Sequence, residues 1–172
     1  VWSNNFWLTW LCIGGGITAV VPVYFLVTNA VSVGAAAGVM AASDHLGLFF
    51  QLILPHGFLE LTSVFVAGAA GLRLFWTWIE PGPRPRSRAL ADEGRSLVTV
   101  AVGLVGTLAV SGLVEAFVTG SGMAWWLKIV IGALVVAAFW VYTLALGRRA
   151  VRFGETGDLA ADLAGYRVAT AA

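Results

Sequence analysis

The sequence predicts an all-α fold, a polytopic transmembrane helix bundle of about five membrane helices with a re-entrant half-helix broken by proline and glycine. Composition is the first observation: 59% of the residues are hydrophobic and 11% are charged. A mean hydropathy of +0.88 is the second. The third is continuity, because the strands of a membrane barrel would alternate apolar and polar residues over about ten positions, and the apolar runs here do not. Four of them, 6–27, 58–79, 96–118 and 125–146, meet or approach the roughly 20 apolar residues that a spanning helix needs.

The run 6–27 is led in by Trp2, Phe6, Trp7 and Trp10, an aromatic belt with Asn4 and Asn5 at the level of the headgroups. Val1 is not an initiator and no basic region precedes the run, so it is not a secretory signal and the chain is expected to be cut from something longer. The next stretch, 30–42, would rise only about 20 Å, short for a span. Residues 46–54 rise roughly 14 Å and read as a half-helix running into Pro55, which is tolerated where protein or water covers the backbone. Proline removes a donor and glycine relaxes the dihedral limits, so Pro55 and Gly57 predict a break with a new helix just after it. That helix, 58–79, ends at a loop over 80–95 whose Pro81-Gly82-Pro83-Arg84-Pro85-Arg86 is too proline-rich to be helical. Two further spans follow, joined by 119–124. The bundle therefore occupies 1–152, and 153–172 reads as a weakly ordered cytoplasmic tail.

Lipid tails provide no hydrophobic drive for pairing helices, so close packing of small residues must do it. Gly34 and Gly38 at GxxxG spacing, and Gly68 with Gly71, are the predicted packing positions. Orientation follows from arginines, which stay in the cytoplasm. Arg84, Arg86, Arg88 and Arg95 mark one loop and Arg148, Arg149 and Arg152 mark the end of the last span, so both segments are expected inside and residues 1–5 outside. The expectation is a multi-pass cell-membrane protein with a cytoplasmic carboxyl terminus.

Ionisable residues within such segments are costly, roughly 2.5 to 3.5 kcal/mol each at a helix centre, and usually face protein or a wet cavity. His56 and Glu60 stand four apart on one helix face, and the topology puts Glu115 at a similar depth on a helix of opposite direction. Two readings compete: interfacial residues reached by water, or a membrane-embedded polar cluster that relays protons, holds a cation or fixes helix registration. Arg73 lies about 20 Å deeper than Glu60, at the inner interface, where it snorkels or pairs with the cytoplasmic loop. Lys128 beside Trp125 and Trp126 snorkels at the outer face.

Other chemistry is excluded quickly. His-Glu-x-x-His is absent and His45 is the only other histidine, which with Asp44 reads as ordinary loop polarity, so no metal site is expected. Cys12 is alone, so there is no disulfide framework. Phosphate loops, nucleophile elbows and dinucleotide fingerprints are missing, and no catalytic or cofactor-binding residue is assigned. A net charge of +1 with dispersed arginines makes no nucleic-acid surface.

The residues also carry a resemblance. Leu54-Pro55-His56-Gly57 followed by Glu60-Leu61, then Ala67-Gly68-Ala69-Ala70-Gly71-Leu72-Arg73-Leu74, resembles the signature of the stage II sporulation protein M family of bacterial and archaeal membrane proteins. Ser3-Asn4-Asn5, Asn29 opening a short helix that contains Gly34, and Leu113-Val114-Glu115-Ala116-Phe117-Val118-Thr119 are similar to family segments in the same order. Two departures stand out: the family's amino-terminal part with a further membrane helix is missing, and Gly120 stands where a proline often follows. The resemblance implies a multi-spanning scaffold rather than an enzyme, one that in endospore formers works with two cell-wall-degrading partners at the engulfing septum.

Two function classes result. The leading one is an integral membrane scaffold or complex subunit linked to cell-envelope remodelling, its partners the lipid bilayer, other membrane or cell-envelope proteins and a second copy of itself. The alternative is a transport component in which His56, Glu60 and Glu115 line a proton or solute path. The absence of charged residues through the middle of the spans argues against a relay crossing the full thickness.

Overall fold

The computed structural model describes residues 2–154, with side chains described from residue 4 onward. Among the described residues there is no strand, and five α-helices follow one another: α1 (Trp2–Gly14), α2 (Val20–Ala42), α3 (Leu46–Ile79), α4 (Arg86–Val114) and α5 (Trp125–Phe153). A 3-10 turn, Gly16–Thr18, joins α1 to α2, and a π turn, Glu115–Thr119, prolongs α4. Helices α2, α3, α4 with its π turn, and α5 are each long and apolar enough to cross a membrane, so the protein is a multi-pass membrane protein. Of the tail expected over 153–172, Phe153 is the last residue of α5 and Gly154 follows it, and residues 155–172 lie outside the described residues.

The first helical boundary is not where the apolar run suggested. The stretch 6–27 is no single span: α1 stops at Gly14 and the chain turns through Gly15, Gly16 and Ala19 before α2 begins. Consecutive glycines lose the most backbone freedom in a helix, so the chain breaks there. Thr18 starts the next helix: its hydroxyl donates to the Gly15 carbonyl at 2.9 Å and accepts from the Val21 N–H at 3.3 Å. Pro22 then falls in the first turn of α2, where its missing N–H costs nothing. Asn29, expected to open a short helix, sits inside a continuous α2, because neighbouring hydroxyls bond within it. Thr28 Oγ1 donates to the Tyr24 carbonyl and Ser32 Oγ to the Thr28 carbonyl, both at 2.9 Å.

The half-helix over 46–54 is also corrected. α3 continues through Pro55 as one helix of 34 residues, about 51 Å at 1.5 Å per residue. Such prolines persist in membrane helices when a neighbour covers the disturbed backbone. α5 packs against this point: Gly132 lies so close that a β-carbon on it would collide with the Pro55 carbonyl. Pro55 is thus at a packing site, and neither it nor Gly57 breaks the helix. Another correction falls on 80–95, where only the proline-rich part is a loop. Pro85 precedes the first residue of α4, and 86–95 are helical.

α3 is the hub, touching every other helix. α1 is only 13 residues long and runs alongside the middle of α3. Asn5 pairs with Glu60, and eleven residues later Gly16 meets Gly71. The core is a three-helix contact of Leu8, Cys12 and Ile13 with Val64 and Ala67 of α3 and Leu97, Ala101 and Leu104 of α4. Gly71 is indispensable to it, since a side chain there would strike the Cys12 carbonyl. Gly68 receives the Leu26 side chain of α2, whereas Gly34 and Gly38 meet nothing within 4 Å. In this chain their side of α2 packs against no other helix.

Candidate polar site beside the hub helix

The hub position of α3 decides what surrounds His56 and Glu60. His56 is 5% exposed and Glu60 is 3% exposed, so both are buried within the protein. One helical turn apart, they bring His56 Nε2 to 3.9 Å from Glu60 Oε2, an ion-pair separation too long for a hydrogen bond. The other ring nitrogen, Nδ1, is 3.1 Å from Thr119 Oγ1. Thr119 reaches that position because the wide π turn swings the end of α4 over α3, and Lys128 Nζ of α5 holds the turn by donating to the Thr119 carbonyl at 2.8 Å. Lys128 therefore anchors a helix end.

Below the imidazole, α4 is bonded to α3 twice. Ser111 Oγ donates to the His56 backbone carbonyl at 3.0 Å, and Ser63 Oγ and Thr107 Oγ1 share a hydrogen bond at 3.0 Å. Hydroxyl pairs of this kind join membrane helices where apolar area cannot. Glu115 is half-buried and close enough to act electrostatically on both His56 and Glu60. From α1, the buried Asn5 side chain is a hydrogen-bond partner of the Glu60 carboxyl group. The other carboxyl oxygen, Oε1, is buried with no partner among the described residues.

A cavity of about 340 Å³ opens beside this cluster, between α1, α2 and α3. Asn4, Asn5, Asn29, Ser32, His56 and Glu60 form its polar side, and Gly57 keeps the wall of α3 low. Sequence spacing singled out His56 and Glu60, and the family resemblance pointed to Asn29, but Asn5 was treated as a headgroup contact and Ser111 was missed. The signal for Ser111 was a small hydroxyl on the helix facing a histidine, visible only once helix pairing is known. Asp44 and His45 stay in the turn between α2 and α3, where His45 Nδ1 contacts the Ser43 carbonyl, and neither lines the cavity. At the opposite end of α3, Arg73 Nε pairs with Glu93 Oε1 of α4 at 2.8 Å.

Among the described residues no three His, Cys, Asp or Glu side chains gather as metal ligands. The site offers a recessed carboxyl group beside amides and a hydroxyl. One family model matches the chain over residues 1–120, and its description is Stage II sporulation protein M. No curated protein and no solved structure matches it. The matched segment holds all of α1 to α4 and the π turn, hence the whole cavity and every member of the cluster except the Lys128 anchor.

Proposed function

This chain belongs to the stage II sporulation protein M family, and we propose that it is a scaffold or subunit of a membrane complex engaged in cell-envelope remodelling. One observation carries the proposal. Within their most apolar stretches α3 and α4 bury 39% and 33% of residues, but α2 and α5 bury only 6% each. Lipid alone accepts such bare helices, yet it has no use for a close-approach motif, and α2 presents Gly34 and Gly38 uncovered on its outer side. A second helix fits that face. A groove of about 490 Å³ between α4 and α5, floored by Leu59 and edged by Gly103 and Gly106, is a further place for one.

The proposed orientation puts the arginine-rich segments in the cytoplasm. It is supported by α3 and α5 running in one direction, Gly132 against Pro55 near the outer end, so that Arg84–Arg95 and Arg148–Arg152 emerge on one side. Single cysteines at Ser87 and Ser121 test it, Cys12 being fully buried. An impermeant thiol reagent on intact cells should label only the Ser121→Cys protein, and labelling at residue 87 would invert the orientation.

Transport remains a second reading because of the cavity and its recessed carboxyl group. Against it, no charged residue stands on α3 between Glu60 and Arg73, and α4 carries none from Ser96 to Val114. Reconstituted into vesicles, the chain should leave a proton gradient intact. Dissipation that Glu60→Gln abolishes would favour transport over the scaffold.

A further inference from the structure

We infer that the cavity between α1, α2 and α3 is a binding site for a primary ammonium group, with Glu60 as its counter-ion. Chemistry, charge and size each narrow the ligand. Glu60 lines the cavity, is 3% exposed, and keeps one carboxyl oxygen without a partner among the described residues. A buried acceptor left empty costs roughly 1 to 3 kcal/mol, and more when charged, so the group that belongs there donates a hydrogen bond. The Ser32 hydroxyl already gives its hydrogen to the Thr28 carbonyl, which leaves it an acceptor toward the cavity. Asn4, Asn5 and Asn29 add amide oxygens.

The field has the matching sign. Glu60 lines the cavity and Glu115 acts electrostatically on Glu60, while the Lys128 ammonium is engaged on the Thr119 carbonyl and does not line the cavity. A donor with positive charge is thereby selected over a neutral hydroxyl. At about 340 Å³ the space is roughly tenfold the 30 Å³ share of one water, too large for a bare ion. Its other wall is apolar, built by Val33, Ala36, Phe49, Ile53 and Leu61, so the ammonium carries a carbon body. Quaternary amines have no N–H to give Glu60 and are excluded, and a primary ammonium, with three, also serves the Ser32 and amide oxygens. Two sources share the remaining chemistry: a free primary amine, and the headgroup of an aminolipid lying against α2 and α3.

The test is native mass spectrometry of the detergent-solubilised chain titrated with phosphatidylethanolamine, with phosphatidylcholine, and with phosphatidylethanolamine in competition with free ethanolamine. Phosphatidylethanolamine should bind at least about tenfold more tightly than phosphatidylcholine, the loss expected when charge-assisted hydrogen bonds are removed. Competition by ethanolamine identifies a soluble amine as the ligand, and its failure identifies the lipid. Glu60→Gln should bring phosphatidylethanolamine to the phosphatidylcholine level. Should that variant not fold, Ala36→Phe decides, because it fills the cavity from an exposed position of α2 and leaves every polar group in place. Equal binding of the two lipids, binding of neither, or a preference that survives Ala36→Phe overturns the inference. Partner assembly does not enter this measurement, so its failure is separate from failure of the scaffold reading.

Discussion

α3 and α2 are neighbours of similar apolarity, yet they are built for different contacts. α3 is threaded with residues that only another part of this chain can satisfy: Gly71 under the Cys12 carbonyl, Pro55 under Gly132, Ser63 on Thr107 and His56 on Thr119. α2 bonds its hydroxyls to its own carbonyls and leaves its glycine pair uncovered. In lipid, where apolar area gives no pairing energy, the distinction between a folding helix and an assembling helix lies in small and polar residues. α3 with α4 and α1 forms the buried core, and α2 leaves the side that carries Gly34 and Gly38 uncovered.

The strongest way to break that contrast is Gly71→Leu. The new side chain meets backbone rather than a yielding side chain, so a loss of about 3 kcal/mol is expected, read as a large fall in the melting temperature in detergent. An unchanged melting curve would mean that α1 does not seat on α3 as described. Gly132→Leu should cost less, about 1 to 2 kcal/mol, because α5 rests mainly on α3 and can shift outward. Ser111→Ala removes one buried interhelical bond and should cost about 1 kcal/mol. Loss of stability equal to that of Gly71→Leu would show Ser111 to be part of a larger network than its one contact. Smallest of these is Arg73→Ala, within about 0.5 kcal/mol, since the arginine of this ion pair is 71% exposed.

The sequence revealed the helices through hydropathy and the two ends of the polar axis through charge, because each signal is local. His56 and Glu60 share a face by spacing alone, and Gly68 and Gly71 stand out as small residues among large ones. What escaped depends on partners. Proline and asparagine looked like helix breaks, but α3 runs on through Pro55, against which Gly132 of another helix packs, and Asn29 sits in a helix whose hydroxyls are satisfied internally. Gly34 and Gly68 were equivalent as letters, yet one meets nothing and the other takes Leu26. The π turn was invisible as well, although it is what aims Thr119 at His56.

The central claim is that folding and assembly use different helices, and the Gly34→Leu/Gly38→Leu double variant tests it most directly. Both versions of the chain are extracted from native membranes in a mild detergent, their complexes sized, and the purified chains melted. The account predicts that the double variant loses the larger assembly, whether its partner is a second copy or another protein, while its melting temperature does not fall, because neither position touches another part of the chain. An assembly of unchanged size, or a variant that melts as low as Gly71→Leu, would contradict it.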